Sequence, residues 1–150
     1  MKYLCFVLLL LGGCSSSPPQ GRVAYVVNHL NGGSAASKDE AQAGPGKSYS
    51  AEPCELKSAA GQVELRCGQA GKPSWLVIRG ALPAPDLTAS LGKSVSNFEG
   101  EVQLGERTYP LKQGVFTLQT LEPGVARGNF SARIASPPWE VVGSFVANTP

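Results

Sequence analysis

The segment CELKSAAGQVELRC, residues 54–67, predicts a β-hairpin closed by a disulfide. Folding it about the Ala60-Gly61 turn aligns four cross-strand pairs that are apolar or opposite in charge: Cys54–Cys67, Glu55–Arg66, Leu56–Leu65 and Lys57–Glu64. Opposed charges and facing apolar side chains stabilise antiparallel strands. The segment therefore predicts a cross-strand disulfide with both leucines turned inward.

Two other roles for Cys54 and Cys67 have less support from the sequence. A redox-active pair commonly uses a C-x-x-C spacing, which this segment lacks. A structural metal site needs more ligands than two cysteines and the distant His29. In the chain-entropy model, closing a loop of this size stabilises the fold by about 3 kcal/mol. We therefore predict a structural disulfide, with no metal and no cofactor.

The composition of the whole chain favours β structure in one domain. The 150 residues include 18 glycines and 12 prolines, which disfavour a helical bundle and favour short strands joined by turns. The formal net charge is +2, and the basic residues are scattered along the chain. A nucleic-acid binder needs a basic stripe to displace counterions, so we predict no nucleic-acid partner.

Six further segments predict strands by β-branched runs or by period-2 alternation: 22–28, 75–79, 98–104, 115–121, 125–134 and 139–147. Tyr109 and Leu111 are predicted to share the inward face of a strand that follows a Gly105-Glu106 hairpin loop. Two segments, 37–43 and 86–92, carry capping residues and predict one or two helical turns.

A short repeat links the last two predicted strands. Residues 128–132 (GNFSA) match residues 143–147 (GSFVA) in Gly, Phe and Ala, three residues that share one face at period 2. Aromatic rings packed over strand glycines let a sheet curve strongly. The chain thus predicts an all-β fold, an antiparallel meander that forms a β-sandwich or a small closed barrel. The predicted inward residues are Phe98, Val102, Tyr109, Phe130, Ile134, Trp139, Val141 and Phe145.

The N-terminus has the pattern of an export signal. Met1-Lys2 is followed by an apolar run over 3–11, which is too short for the roughly 20 residues that a spanning helix needs. The motif LGGC at 11–14 resembles the lipobox of bacterial lipoproteins. That resemblance implies cleavage before Cys14 and attachment of acyl chains such as palmitate to this cysteine. The alternative is an ordinary secretory signal that leaves Cys14 as a free thiol.

These features predict three segments: a signal peptide at 1–13, the lipidated Cys14 with a flexible tether over 14–21, and one β-rich domain over 22–150. The tether contains no apolar residue that could offset its ordering entropy. In Gram-negative lipoproteins, Asp after the lipidated cysteine retains the protein in the inner membrane. Ser15 stands at this position, so the resemblance implies an outer-membrane lipoprotein facing the periplasm.

The sequence contains no G-x-S-x-G, H-E-x-x-H or P-loop motif, and it contains one histidine, His29. Glu99 and Glu101 alternate along one strand, which is typical of a solvent face, and we expect their partners to be basic residues such as Arg107 or Lys112. We therefore predict no enzyme activity. An enzyme would need a polar cleft that gathers His29 with carboxylates.

One surface candidate lies on the strand 75–79. If Leu76 and Ile78 point to the core, Trp75 and Val77 face outward as a possible partner contact. The alternative is a central strand that is buried on both faces. The leading hypothesis is a non-catalytic binding or assembly module with an envelope protein as partner. The second hypothesis is a carrier that holds a small apolar ligand inside the barrel.

Overall fold

The computed structural model describes residues 21–30, 44–95 and 98–150. Within them the chain forms ten strands and no helix: β1 (Arg22–His29), β2 (Ser48–Ala51), β3 (Cys54–Ala59), β4 (Gln62–Cys67), β5 (Leu76–Ala81), β6 (Ser94–Val95), β7 (Glu99–Leu104), β8 (Arg107–Glu122), β9 (Val125–Ile134) and β10 (Trp139–Asn148). The predicted signal, lipobox and helical turn at 37–43 lie outside the described residues.

Seven of the strands close into a barrel. Their order around it is β3-β4-β5-β7-β8-β9-β10, and β10 returns to β3. β1 and β2 extend the sheet from the same edge of β10 that reaches β3, and β6 adds to β8. The all-β prediction is confirmed, and of its two alternatives the barrel is the one observed.

Barrel closure depends on few contacts. β10 meets β3 through one parallel pair, Asn148 with Glu55. The remainder of that β10 edge is occupied by β1, which pairs with it from Arg22–Val146 to His29–Trp139. Next to this junction the Cys54 amide donates a hydrogen bond of 2.8 Å to the Gly21 carbonyl. β1 therefore covers most of the edge that β3 leaves open.

The hairpin of residues 54–67 has the predicted register, and the disulfide joins Cys54 to Cys67 with a Cα–Cα distance of 4.1 Å. Leu56 and Leu65 are fully buried. The turn residues Ala60 and Gly61 have φ values of 51° and 75°, the positive values that a two-residue type I′ turn requires. The backbone twist of a type I′ turn matches the twist of the two strands that it joins.

The repeat of the last two strands produces reciprocal pairs of phenylalanine and glycine. Phe130 lies opposite Gly143, and Phe145 lies opposite Gly128. The Phe145 ring also stacks on Phe116 with a centroid distance of 5.1 Å. Of the eight predicted inward residues, seven are buried, and Tyr109 is half-buried against the same core. The core prediction is therefore confirmed.

The structure joins two predicted strands into one. Residues 107–122 form the continuous strand β8, whereas the sequence predicted one strand with Tyr109 and Leu111 and a second over 115–121. Two register shifts, between Lys112 and Gly114 and between Leu118 and Thr120, mark β-bulges at which the strand bends. Period-2 alternation is interrupted at each bulge, so the sequence pattern predicts two separate strands. The short strands β2 and β6 were not predicted.

The segment at 86–92 forms consecutive turns, none of them long enough to be a helix. The Asp86 carboxylate accepts a hydrogen bond of 2.8 Å from the Ala89 amide, the capping contact that the sequence predicted. Gly92 has a φ of +71° and ends the turns. Leu87 and Leu91 are half-buried against the core, so the segment covers part of the barrel.

Charged side chains form a row around the outside of the barrel. One residue of each barrel strand pairs in register with the next: Lys57, Glu64, Arg79, Glu99, Lys112, Arg133 and Glu140. Glu99 therefore lies between Arg79 and Lys112, as the sequence predicted for Lys112. Arg107 instead pairs in register with Leu104. We refer to this row as the charged girdle.

Candidate functional site

The connection between β4 and β5 lies on the outer surface of the barrel. Two backbone hydrogen bonds involve this connection. The Gly68 N–H donates one of 2.9 Å to the Pro53 carbonyl, and the backbone N–H of Gln103 donates one of 2.8 Å to the Trp75 carbonyl. Between this connection and the outer faces of β4, β5 and β7 is a cleft of about 460 Å³. Its walls include the side chains of Arg66, Trp75, Val77, Arg79 and Glu101. We call it the Trp75 cleft.

Trp75 is half-buried, and a hydrogen-bonded glutamine fixes the orientation of its indole. The indole nitrogen donates a hydrogen bond of 2.6 Å to Gln103 Oε1, and Gln103 Nε2 donates one of 3.1 Å to the Gly105 carbonyl. Gln103 points outward from β7, yet only 8% of it is exposed. Both polar ends of its amide are engaged. Trp75 is therefore held in one position in the cleft.

Val77 lies on the outer face of β5, between Arg66 and Glu101 in the register of the sheet. It is nevertheless only 3% exposed, and it lines the same cleft as Gln69 and Ala70 of the connection before Trp75. Its neighbours Leu76 and Ile78 point into the core, as predicted. At Val77, β5 is thus buried on both faces, which was the alternative to a fully exposed contact. A role of Trp75 and Val77 in partner contact stays a prediction.

Two arginines line the cleft and share one carboxylate. Arg66 Nη2 lies 3.0 Å from Glu64 Oε1, and Arg79 Nε donates a hydrogen bond to Glu64 Oε2. The hydrogen bond from Arg79 is the main reason that the pKa of Glu64 lies below its ordinary value. On β3, Lys57 Nζ lies 2.9 Å from Glu55 Oε2. The ion pairs of the hairpin therefore join residues of the same strand, and Glu64 is also paired with Arg79 on β5.

Gln103 connects the cleft to the aromatic core at one end of the barrel. The backbone carbonyl of Gln103 accepts a hydrogen bond of 3.4 Å from the Tyr25 hydroxyl. Tyr25 stacks on Tyr49 with a centroid distance of 5.5 Å, and burial raises the pKa of Tyr25. Sequence analysis missed Gln103, because an outward polar residue on an alternating strand is the usual pattern of a solvent face. Its burial depends on the chain segment folded over it.

The single histidine lies outside the Trp75 cleft. His29 lies at the end of β1 opposite Trp139 and does not line the Trp75 cleft. In the part of the chain that the structure describes, no group of three or more His, Cys, Asp or Glu side chains is placed to hold a metal ion. Among the same residues, no helix has the length and hydrophobicity needed to cross a bilayer.

Comparison of the chain with known protein families, curated proteins and solved structures gives no match. The function must therefore be inferred from the Trp75 cleft, the barrel interior and the N-terminal motif.

Proposed function

We propose that the protein is a non-catalytic binding module, held at the cell envelope by lipid on Cys14, that contacts a partner protein through the Trp75 cleft. The observation that carries this proposal is the fixed indole of Trp75, bonded to Gln103 in an open cleft of about 460 Å³. A rigid, half-buried tryptophan loses little conformational entropy on binding and offers a large contact area.

The state of the barrel interior favours this proposal over a ligand carrier. A carrier needs an apolar cavity within the barrel. Phe116, Phe130 and Phe145 are buried in the interior, and two of these rings stack on each other. None of the three lines the clefts beside Trp75, Ser58 or Lys57, which open at the surface. Space for a contact is therefore found outside the core.

The chemistry of the cleft indicates the kind of surface that would fit. Trp75 supplies apolar contact in a cleft that Val77 also lines, and Arg66 and Arg79, which both contact Glu64, stand in the lining with Glu101. Arginine pairs with carboxylates in a planar, bidentate geometry. We therefore propose a protein partner that presents an apolar side chain beside an acidic one. Anchoring through Cys14, with an outer-membrane location facing the periplasm, would place this partner in the envelope.

The test compares two truncations of apolar residues in the lipidated protein. Partners are crosslinked in the envelope, purified, and their affinity is then measured for each variant. Trp75→Ala removes the indole from the cleft, and Val115→Ala truncates a side chain that is 45% exposed elsewhere on the barrel. We expect Trp75→Ala to weaken binding about 30-fold, equivalent to a hot-spot loss of about 2 kcal/mol. Val115→Ala should bind normally.

Stability measurements separate contact from folding. Trp75 is half-buried outside the core cluster, so Trp75→Ala should destabilise the protein less than Phe145→Ala does, by the roughly 1–3 kcal/mol that leaving Gln103 Oε1 without its partner costs. If Trp75→Ala destabilises the protein as much as Phe145→Ala, Trp75 acts in stability and the contact proposal is wrong. Unchanged affinity of Trp75→Ala for the purified partner would also contradict it.

A further inference from the structure

Among the described residues, the edge of β3 beyond Glu55 pairs with no strand, although Thr149 and Pro150 lie near it. β4 pairs with all six residues of β3, from Cys54–Cys67 to Ala59–Gln62. On the other side, β10 pairs only with Glu55 and ends at Asn148. Among the described residues, no strand follows the rest of this edge of β3, over 56–59. An edge strand presents backbone donors and acceptors that another extended chain can use.

The register of the hairpin shows which backbone groups face that edge. Ala59 and Gln62 flank the two-residue turn and form a hydrogen-bonded pair, so hydrogen-bonded and non-hydrogen-bonded pairs alternate from there. Ser58 belongs to a non-hydrogen-bonded pair, and its N–H and C=O therefore point away from β4. Cys54 has the same parity, and its amide does bond outward, to Gly21.

A cavity lies beside these groups. It has a volume of about 420 Å³ and lies between Ser58 and the turn that joins β8 to β9, with Leu87, Leu121 and Pro123 in its walls. Thr149 holds the opposite side through a hydrogen bond of 3.0 Å to the Gly124 carbonyl. A smaller cavity of about 200 Å³ adjoins the same chain segment at Lys57 and Asn148. We call the two together the β3 slot.

Two polar side chains, Ser58 and Asn148, lie in the walls of the slot. Ser58 shares its face of β3 with the buried Leu56, yet Ser58 is exposed. Asn148 Oδ1 is buried and has no hydrogen-bond partner among the described residues. The slot thus offers a backbone donor, a backbone acceptor and apolar walls.

We propose that the β3 slot binds an extended peptide segment of a partner protein, which adds as a strand along residues 56–59 of β3. Backbone pairing with Ser58 would give affinity, as in other cases of strand addition. Alternate side chains of the peptide would face Leu87 and Leu121, which favours small or apolar residues at those positions. The slot shares no lining residue with the Trp75 cleft, so this inference is independent of the proposed function.

Two substitutions at one position test backbone pairing. Ser58→Pro removes the amide that points into the slot and leaves the pairing with β4 intact, because that amide does not bond to β4. Ser58→Ala keeps the amide and removes only the hydroxyl group. The probes are linear heptapeptides selected from a displayed random library against the full chain. We expect Ser58→Pro to weaken the selected peptides at least about tenfold, the effect of one lost hydrogen bond with added steric exclusion. Ser58→Ala should bind them normally.

Three outcomes would overturn the proposal. Selection that yields no peptide would show that water alone solvates the edge. Equal affinity of Ser58→Pro and the unchanged protein would exclude backbone pairing at this edge. Peptides whose binding is lost in Trp75→Ala, and retained in Ser58→Pro, would belong to the Trp75 cleft.

Amide hydrogen exchange gives an answer that does not depend on the proline variant. In the free protein the Ser58 amide should exchange quickly, while the Lys57 amide, in a hydrogen-bonded pair with Glu64, should be protected. Addition of a selected peptide should slow exchange at Ser58 at least about tenfold. A Ser58 amide that is already protected in the free protein, or that the peptide leaves unprotected, would contradict strand addition.

Discussion

The ring of Phe145 lies against Gly128 on the neighbouring strand. A Cβ atom added at position 128 would lie 2.6 Å from Phe145 Cζ and would also collide with the Thr117 carbonyl oxygen. The same relationship recurs between Phe130 and Gly143, where an added Cβ would lie 2.8 Å from the Phe130 ring. Glycine is therefore required at both positions for steric reasons, since neither has a positive φ.

This packing predicts the effect of Gly128→Ala. The added methyl group must displace Phe145 or the β8 backbone, and overpacking of this kind costs about 1–3 kcal/mol of the free energy of unfolding. Phe145→Ala, which leaves a cavity, should cost about 3–5 kcal/mol. Denaturant unfolding measures both changes, with the exposed Asn129→Ala as the control. A Gly128→Ala variant as stable as the control would show that the ring does not lie over this glycine.

Removal of the disulfide should destabilise the barrel. The double variant Cys54→Ala/Cys67→Ala frees the loop that the bond closes in the unfolded chain, and we expect a loss of about 3 kcal/mol in the free energy of unfolding. Unfolding of the unchanged protein under reducing conditions should show a similar loss. A loss below about 1 kcal/mol in both experiments would assign little stabilising effect to this bond.

The shared carboxylate predicts a pH effect. Because the folded-state pKa of Glu64 lies below its unfolded value, its contribution to stability is present above the ordinary glutamate pKa. That contribution is lost as the pH falls through the lower, folded-state pKa. In an NMR titration, Arg79→Gln should move the Glu64 pKa upward towards its ordinary value, and Arg66→Gln should move it less. Equal shifts would contradict the leading role of the Arg79 hydrogen bond.

Lipidation predicts the fate of a Cys14→Ser variant. Serine cannot accept the diacylglyceryl group through a thioether, so the precursor should stay unprocessed. Metabolic labelling with palmitate, together with the apparent mass of the protein, measures both steps. If Cys14→Ser is still cleaved and fractionates with membranes as before, the similarity to the lipobox is misleading and the anchoring proposal fails.

Local pairing was predictable from the sequence because its determinants are adjacent along the chain. The register of residues 54–67 follows from four matched pairs around one turn, and each is observed. The inward face of β9 and β10 follows from alternation, as the burial of Phe130 and Phe145 shows. In both cases the side chains that decide the outcome lie within one hairpin.

Features that depend on distant contacts were not predictable. The parallel junction of Asn148 with Glu55 joins residues that are far apart in the sequence, and no local pattern specifies it. The Trp75 cleft depends on Gln103, whose outward position gave no sign that Trp75 would cover it. Sequence alone identified Trp75 as a candidate, but its hydrogen-bond partner and the depth of the cleft required the fold.

The pairing of β1 with β10 has a consequence for the order of folding. During synthesis β1 leaves the ribosome before β10. The pairing of β1 with β10, which includes Arg22 with Val146, can therefore form only when almost the whole chain has emerged. Of the strands in the described residues, only the four-residue strand β2 pairs with β1 before then. Until that time the inward side chains of Val23, Tyr25 and Val27 lack their final cover. Nascent chains that stop before Trp139 therefore carry an apolar strand with one edge free to aggregate.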